Sequence, residues 1–216
     1  MAAPPLRPLL VAAMDAQFRG VAAKVLRDGS LRFEGAGYGL TVLSSVRAGQ
    51  YPLLEFVASA HLDHVGDLLA RVLDRKGAAQ RDISLHFGHH EMFTRWGPAY
   101  GATLGRRGPA ELEVMGDDYV GLHVAHLRAI LEGEVLPLTR RCAELAAYDA
   151  LLNEAPESPL PYLRLPERAA RGLAARHLLG GHDLAALAAR YDRALAEVYP
   201  LARAEYDAVR RRVAPL

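Results

Sequence analysis

Hydrophobic and polar positions alternate over short stretches early in the chain, and this pattern predicts strands. Between residues 31 and 58 the apolar residues either alternate with polar ones or form short runs rich in β-branched and aromatic residues. The turns between these runs are short and contain glycine, so neighbouring strands are expected to be antiparallel. We predict strands over residues 31–34, 40–46 and 51–58.

Two further strands are predicted in the middle of the chain. Apolar and polar residues alternate over 82–89 and again over 111–115. Because successive side chains of a strand point to opposite faces, His86 and His90 are expected on one face and His89 on the other. The sequence therefore predicts about five strands in all.

Helices are predicted where apolar residues recur every three or four positions. Such segments precede the strands, interrupt them once, and occupy the chain from Asp117 almost to its end, at 14–28, 61–76, 117–132, 139–153, 166–179, 184–199 and after Pro200. This order favours the α+β class. We expect an antiparallel sheet of about five strands with helices on one face, followed by a mostly helical C-terminal part.

The distribution of proline suggests how the chain is divided. Pro4, Pro5 and Pro8 interrupt the apolar N-terminus, and four prolines fall within 153–166, which makes that segment the best candidate linker. We predict three parts, namely a flexible N-terminus over 1–13, an α+β domain over 14–153, and a helical C-terminal extension packed on it over 154–216.

The composition limits the kinds of partner and compartment. The formal net charge is +1 and 51% of the 216 residues are hydrophobic, which is ordinary for a globular protein and gives no sign of nucleic-acid binding. No stretch approaches the roughly 20 apolar residues of a membrane span. The single cysteine, Cys142, excludes an internal disulfide framework and falls mid-helix, where a core position is expected. We predict a cytoplasmic protein without membrane or nucleic-acid partners.

Residues 93–109 form a long segment without periodicity that contains four glycines and two prolines. Such segments are uncommon inside compact domains and are often functional. Arginine forks can bind carboxylate or phosphate groups, and aromatic side chains anchor interfaces. No Gly-Lys-Ser/Thr follows the glycines, so this is not a P-loop. We predict that this loop binds an anion or a protein partner through Arg95, Trp96, Tyr100, Arg106 and Arg107.

Histidines occur in three pairs spaced i, i+3, at His61/His64, His86/His89 and His123/His126. On a helix this spacing places two imidazoles on one face, a geometry suited to metal ligation. Carboxylates near the end of the fourth strand could complete a mixed site with the strand histidines. The candidate metal ligands are His86, His90, Glu91 and Glu113. The alternative is that these histidines are half-buried and hydrogen-bonded to backbone.

Residues 167–199 resemble a single tetratricopeptide-like helical hairpin. Tyr191, Ala194 and Leu195 match the pattern of the second helix, and Ala175 supplies the small residue of the first helix. The sequence departs from the family pattern at Leu178, Leu187 and Pro200. The resemblance implies packing of helix on helix and a surface for a partner. No functional residue carries over from it.

The motifs of common enzymes are missing, which favours a non-enzymatic binding protein. There is no G-x-S-x-G, no H-E-x-x-H and no G-x-G-x-x-G after a strand. The predicted binding elements are the 93–109 loop and the helical tail, with no cofactor required. The alternative is a metal-dependent hydrolase with a His/carboxylate site at the end of the fourth strand and a divalent metal such as zinc. The sequence does not indicate an oligomeric state.

Overall fold

A five-stranded antiparallel sheet lies in the N-terminal part of the computed structural model, in the order β1-β2-β3-β4-β5. The structure describes residues 6–21, 24–47, 53–73, 83–89, 92 and 116–214. The strands are β1 (Lys24–Val25), β2 (Leu31–Gly35), β3 (Tyr38–Arg47), β4 (Leu53–Leu62) and β5 (Leu85–Phe87). The predicted α+β class is confirmed.

Helices begin and end the described chain and dominate it after the sheet. They are α1 (Leu6–Phe18), α2 (Asp63–Leu73), α3 (Gly116–Ile130), α4 (Leu136–Cys142), α5 (Leu145–Asn153), α6 (Leu165–Leu178), α7 (Leu184–Ala194) and α8 (Ala204–Val213). A π-helical turn over Leu131–Val135 joins α3 to α4, and a 3₁₀ turn over Pro200–Arg203 precedes α8. Among these described helices, none is long and apolar enough to cross a bilayer.

The chain forms two compact units that interleave in sequence. The first unit comprises Met1–Gly35, Gly39–Ser59 and His86–Leu138, and the second comprises Ala36–Tyr38, Ala60–Leu85 and Thr139–Leu216. Each unit has its own buried residues. The predicted boundaries at 13/14 and 153/154 remain a prediction.

In the first unit, α1 differs from the helix predicted over 14–28. It begins at Leu6, inside the segment predicted to be flexible, and ends at Phe18. Leu10, Met14 and Phe18, spaced four residues apart, are buried and form the stripe by which α1 enters the core. Gly20 follows with a φ of 80°, a left-handed conformation that ends the helix. Residues 24 and 25 are therefore free to form β1.

The first unit closes its core between α1, α3 and the sheet. Phe18 packs edge-on against Phe33 of β2, with ring centroids 6.3 Å apart. Leu31 and Phe33 are buried while the residues between and after them are exposed, as alternation predicts. β1 pairs with β2 in register Val25 to Leu31. β1 is therefore an edge strand of the sheet that was not among the predicted strands. The strand predicted over 111–115 lies outside the described residues.

The strand predicted over 82–89 is shorter than expected, because β5 covers only Leu85–Phe87. Leu85 and Phe87 are buried as predicted. Ile83, expected to face inward, is 43% exposed, whereas Ser84 is buried. The Ser84 hydroxyl accepts the backbone N–H of Leu62 at 2.9 Å, and this hydrogen bond satisfies a polar group that alternation placed outside.

In the second unit, α5, α6 and α7 meet at a buried polar cluster around Gly172. The Asn153 amide donates to the Gly172 carbonyl at 3.0 Å and to Asp149 at 2.7 Å. The Tyr191 hydroxyl lies 2.7 Å from the Asn153 side-chain oxygen, which accepts its proton. A side chain at position 172 would come within 3.0 Å of both Asn153 and Tyr191. Glycine is therefore required by close approach.

Arg168 and Arg176 extend this cluster on α6. Arg168 is only 3% exposed and donates to backbone carbonyls at the end of α5 and in the turn after it, at Leu152 and Ala155 (2.7 and 2.9 Å) and at Ser158. These contacts satisfy carbonyls that a helix C-terminus leaves without partners. Arg176 forms an ion pair with Asp149 at 2.9 Å.

His64 lies at the start of α2 beside a buried tyrosine. Its ring centroid is 5.4 Å from that of Tyr148, and both ring nitrogens are buried without a hydrogen-bond partner in the described part of the chain. Burial lowers the pKa of His64 below its usual value, and the smaller effect of Asp63 opposes the shift. His64 is therefore held in its neutral form.

We predict that Gly172→Ala destabilises the second unit by about 1–3 kcal/mol, because the new methyl group overpacks against Asn153 and Tyr191. Thermal and urea unfolding followed by circular dichroism measure this change. The matched control is Gly121→Ala in α3, where nothing lies within 4 Å of the added methyl group. Helix propensity makes that control neutral or more stable by up to about 1 kcal/mol. Equal effects of the two substitutions would contradict the close approach.

We predict that part of the acid sensitivity of the fold comes from His64. Since its pKa in the folded state lies below the unfolded value of 6.5, the unfolded chain takes up the proton first. Stability is then full above about pH 6.5 and falls as the pH drops toward the folded pKa. His64→Phe should show a smaller loss of Tm between pH 7.5 and 5 than the wild type, while the exposed His182→Phe should not. An unchanged loss in His64→Phe would contradict the assignment.

Candidate functional site

A groove of about 640 Å³ lies on the surface of the first unit, between α1 and β1. It is broadly open to solvent, and its volume falls in the range of about 300–1,000 Å³ that is common for ligand sites. Its α1 side is formed by Arg7, Pro8, Val11, Ala12 and Asp15, and its other side by Val25, Leu26 and Arg27. The groove is the candidate functional site.

The α1 wall follows from the way this helix is buried. Leu10, Met14 and Phe18 fix one face in the core, so the neighbouring face must point toward β1 and solvent. From Arg7 to Asp15 this wall spans nine residues, and the eight steps between them rise about 12 Å along the helix. Val11 and Ala12 lie between the charged ends and supply its apolar centre.

The β1 wall is held in place by a tight turn over residues 26–30. The Leu26 N–H donates to the Ser30 carbonyl at 2.8 Å, and the Gly29 N–H donates to the Leu26 carbonyl at 2.9 Å. Gly29 has a φ of 83°, a left-handed conformation that glycine adopts without strain, and it lies beside Val11 and Met14 of α1. The groove is therefore a built feature, fixed on both sides by backbone.

The segment of the chain that forms the groove carries a net positive charge. Residues 6–30 contain four basic and two acidic side chains, whereas the rest of the chain contains 22 basic and 23 acidic ones. Asp15 forms an ion pair with Arg19. The Ser30 backbone N–H holds the pKa of Asp28 below its usual value, and Arg7 adds a smaller effect through space. Both carboxylates near the groove are thus already compensated.

Arg7 and Arg27 also line the groove, and the interaction of Arg7 with Asp28 acts only through space. Both are exposed, and within the described part of the chain neither forms a hydrogen bond or a close ion pair. An unpaired guanidinium beside an apolar surface offers five N–H donors in a planar fork, which suits a carboxylate. The groove thus combines an apolar floor with two available cationic groups.

The binding surface predicted from the sequence cannot be placed. Arg95, Trp96, Tyr100, Arg106 and Arg107 all lie outside the described residues. The same holds for three of the four candidate metal ligands, which are His90, Glu91 and Glu113. These assignments remain predictions.

His86 is the candidate metal ligand that the structure describes. It is exposed on β5, and its Nδ1 lies 3.5 Å from the Ser59 hydroxyl on β4. Within the described ranges, no group of three or more His, Cys, Asp or Glu side chains is arranged to hold a metal ion.

His89 lies close to α3, the helix that carries His123. Strand alternation predicted that His89 would lie on the face opposite His86. β5 ends at Phe87, and the Met92 N–H donates to the Gly88 carbonyl at 3.0 Å, so His89 lies beyond the end of the strand. His89 therefore lies beside buried His123 of α3, with ring centroids 6.5 Å apart. Two imidazoles on one tetrahedral zinc ion would have centroids roughly 5 Å apart. The two rings as placed do not chelate a common ion.

The neighbourhood of His89 also fixes its protonation pattern. Its Nδ1 accepts the backbone N–H of Phe56 at 3.2 Å, which requires that nitrogen to be unprotonated. Phe56 packs against both histidine rings, with centroids 6.0 and 6.5 Å away. This three-ring cluster is accordingly part of the packing of β4 on α3.

Cys142, predicted to lie in the core, is fully buried at the end of α4. Burial raises the pKa of its thiol to about 11. A thiol of this kind carries almost no thiolate at neutral pH and is a poor nucleophile. Its contribution is to packing.

The helical tail exposes two large apolar side chains beside each other. Tyr199 is 73% exposed and Leu201 is 79% exposed, on either side of Pro200 at the 3₁₀ turn. Single exposed apolar residues are normal on protein surfaces. Tyr199 and Leu201 therefore expose a small amount of apolar surface at this turn of the second unit.

The sequence did contain a signal for the groove. Leu10, Met14 and Phe18 recur at four-residue intervals, and Gly20 is a suitable helix stop. The prolines before Leu10 outweighed that signal and led to a predicted flexible N-terminus. Pro8 lies in the first turn of α1, where a missing N–H costs no intrahelical hydrogen bond.

The helical hairpin that resembles a tetratricopeptide repeat is present as α6 and α7. Its helices pack on one another and on α5 in the second unit. The family resemblance itself remains a prediction. No protein-family model, curated protein or solved structure matches the chain.

Proposed function

We propose that this chain is a non-enzymatic protein-binding module whose docking surface is the groove between α1 and β1. The observation that carries the proposal is the groove of about 640 Å³, which is open to solvent and is lined by the apolar residues Val11, Ala12, Val25 and Leu26. Docking of partner side chains on this apolar lining removes apolar area from water, which contributes roughly 25 cal/mol per Å² of apolar surface buried.

The shape of the groove favours a macromolecular partner. It is shallow and open, whereas small-molecule sites enclose 70–90% or more of their ligand. A helix wall about 12 Å long resembles the grooves that accept a short segment of another protein through a few apolar anchors. The sequence predicted two other binding elements, the 93–109 segment and the helical tail. We propose them as additional contact surfaces for a protein partner.

The test is selection of random peptides displayed on phage against the immobilised full-length chain. We expect peptides with several Leu, Ile or Phe residues to be enriched. Ala12→Phe should weaken the best of them at least tenfold, a loss of about 1.4 kcal/mol, because a phenyl ring at residue 12 fills the groove. Fluorescence anisotropy with the synthetic peptides measures the change.

The matched control is Ala16→Phe, which places the same side chain one turn further along the exposed surface of α1, outside the groove. It should leave the affinity unchanged. The proposal fails if no peptide is enriched, or if both variants bind the peptides as the wild type does. An equal loss in both variants would likewise contradict docking in the groove.

A further inference from the structure

Resting on the proposed function, we infer that the occupant of the groove is an acidic amphipathic helix of a protein partner. Such a segment carries apolar residues on one face and Glu or Asp residues at the edges of that face. The inference depends on the size of the groove, on the unpaired arginines that line it, and on the charge of the surrounding surface.

The dimensions of the groove suit a short helix. The α1 wall is about 12 Å long, which is the rise of two helical turns. A helix of about 10 Å diameter and that length, embedded to half its depth, occupies roughly 500 Å³. The groove has a volume of about 640 Å³. Apolar residues of the partner spaced i, i+3, i+4 and i+7 would then face Val11 and Ala12.

The edges of the groove specify the charge of the partner. Arg7 lies at the start of α1 and Arg27 on the opposite wall, so a helix lying in the groove passes between them. Because neither guanidinium has a close partner in the described part of the chain, a carboxylate on the ligand displaces no existing ion pair. At the far end, Asp15 is already paired with Arg19 and offers little attraction to a cation.

Solvent exposure limits how much these arginines contribute. A single exposed ion pair changes affinity by at most about fivefold, and salt screens it. The apolar floor therefore supplies most of the affinity. The arginines select acidic over basic segments and speed association, because complementary charge steers encounter.

The probes are three blocked synthetic peptides of about 14 residues, identical except at the flanking positions. Each has leucines at i, i+3, i+4 and i+7, and the flanking positions carry Glu, Gln or Lys. Anisotropy with the full chain at about 0.05 M salt should place the Glu peptide roughly tenfold tighter than the Gln peptide, with the Lys peptide weakest. At about 0.5 M salt the three affinities should converge.

Charge reversal distinguishes this preference from loss of structure. Arg7→Glu combined with Arg27→Glu should reverse the order of affinities, so that the Lys peptide binds at least as tightly as the Glu peptide does to the wild type. Unfolding would instead abolish binding of all three peptides. The control, Arg211→Glu with Arg212→Glu, makes the same change in net charge at exposed residues of α8 and should keep the preference for Glu.

The inference is overturned if the wild type binds the three peptides equally, or if the double charge reversal leaves the order unchanged. If the peptides bind equally and Ala12→Phe still blocks them, the groove remains a docking surface and only the acidic partner is wrong. The inference of an acidic protein partner would also be overturned if single-stranded oligo(dT) bound as tightly as the Glu peptide. The arginines would then bind phosphate groups.

Discussion

Burial of one stripe of α1 is the constraint on which the proposed binding surface depends. Leu10, Met14 and Phe18 enter the core of the first unit, and the edge-on contact of Phe18 with Phe33 fixes the helix against the sheet. Once this face is fixed, the helical repeat determines where every other side chain points. Arg7, Val11 and Ala12 are thereby held beside β1, and the groove has a rigid wall.

The opposite wall of the groove is held mainly by backbone hydrogen bonds and by a glycine in the left-handed conformation. β1 is only two residues long, and a hydrogen-bonded turn with glycine at its left-handed position holds the strand beside α1. Short edge strands and nearby charges protect a sheet edge from pairing with other chains. Lys24 and Arg27 supply such charges here, and Arg27 also lines the groove.

The second unit buries polar side chains among its packed helices, and these side chains are hydrogen-bonded to one another and to backbone. Gly172 lets α5 and α6 approach closely enough for Asn153 to bond to the helix backbone, and Tyr191 completes the cluster. Arg168 then satisfies carbonyls at the end of α5. Each of these groups would be costly if left without a partner. The arrangement therefore orders α5, α6 and α7 relative to one another.

The sequence predicted the fold class well because periodicity reports directly on burial. Alternation identified β2, and the three- to four-residue repeat identified α2 and the helices from α3 onward. It misplaced α1 and β1, because prolines near the chain start were interpreted as breaking structure although Pro8 occupies a tolerated position in the first turn. Ser84 is buried and Ile83 is exposed, contrary to simple alternation, because both residues precede β5 and the Ser84 hydroxyl accepts a hydrogen bond from the Leu62 N–H.

The candidate site was less accessible to sequence reasoning, since it depends on two segments that neither motif nor periodicity connects. Arg7 and Arg27 are 20 residues apart, and each on its own is an ordinary surface arginine. Only the packing of α1 beside β1 brings them to the same groove. Likewise, His89 reaches His123 because β5 ends earlier than alternation indicates.

The most direct measurement is an NMR titration of the ¹⁵N-labelled full chain with the leucine–glutamate peptide. We expect saturable shifts of the backbone amides of Arg7, Val11, Ala12 and residues 25–27, with no comparable change at Asn153, Gly172 or Tyr191. Shifts confined to the second unit, or the absence of any saturable shift in α1 and β1, would contradict the claim that the groove is the docking surface.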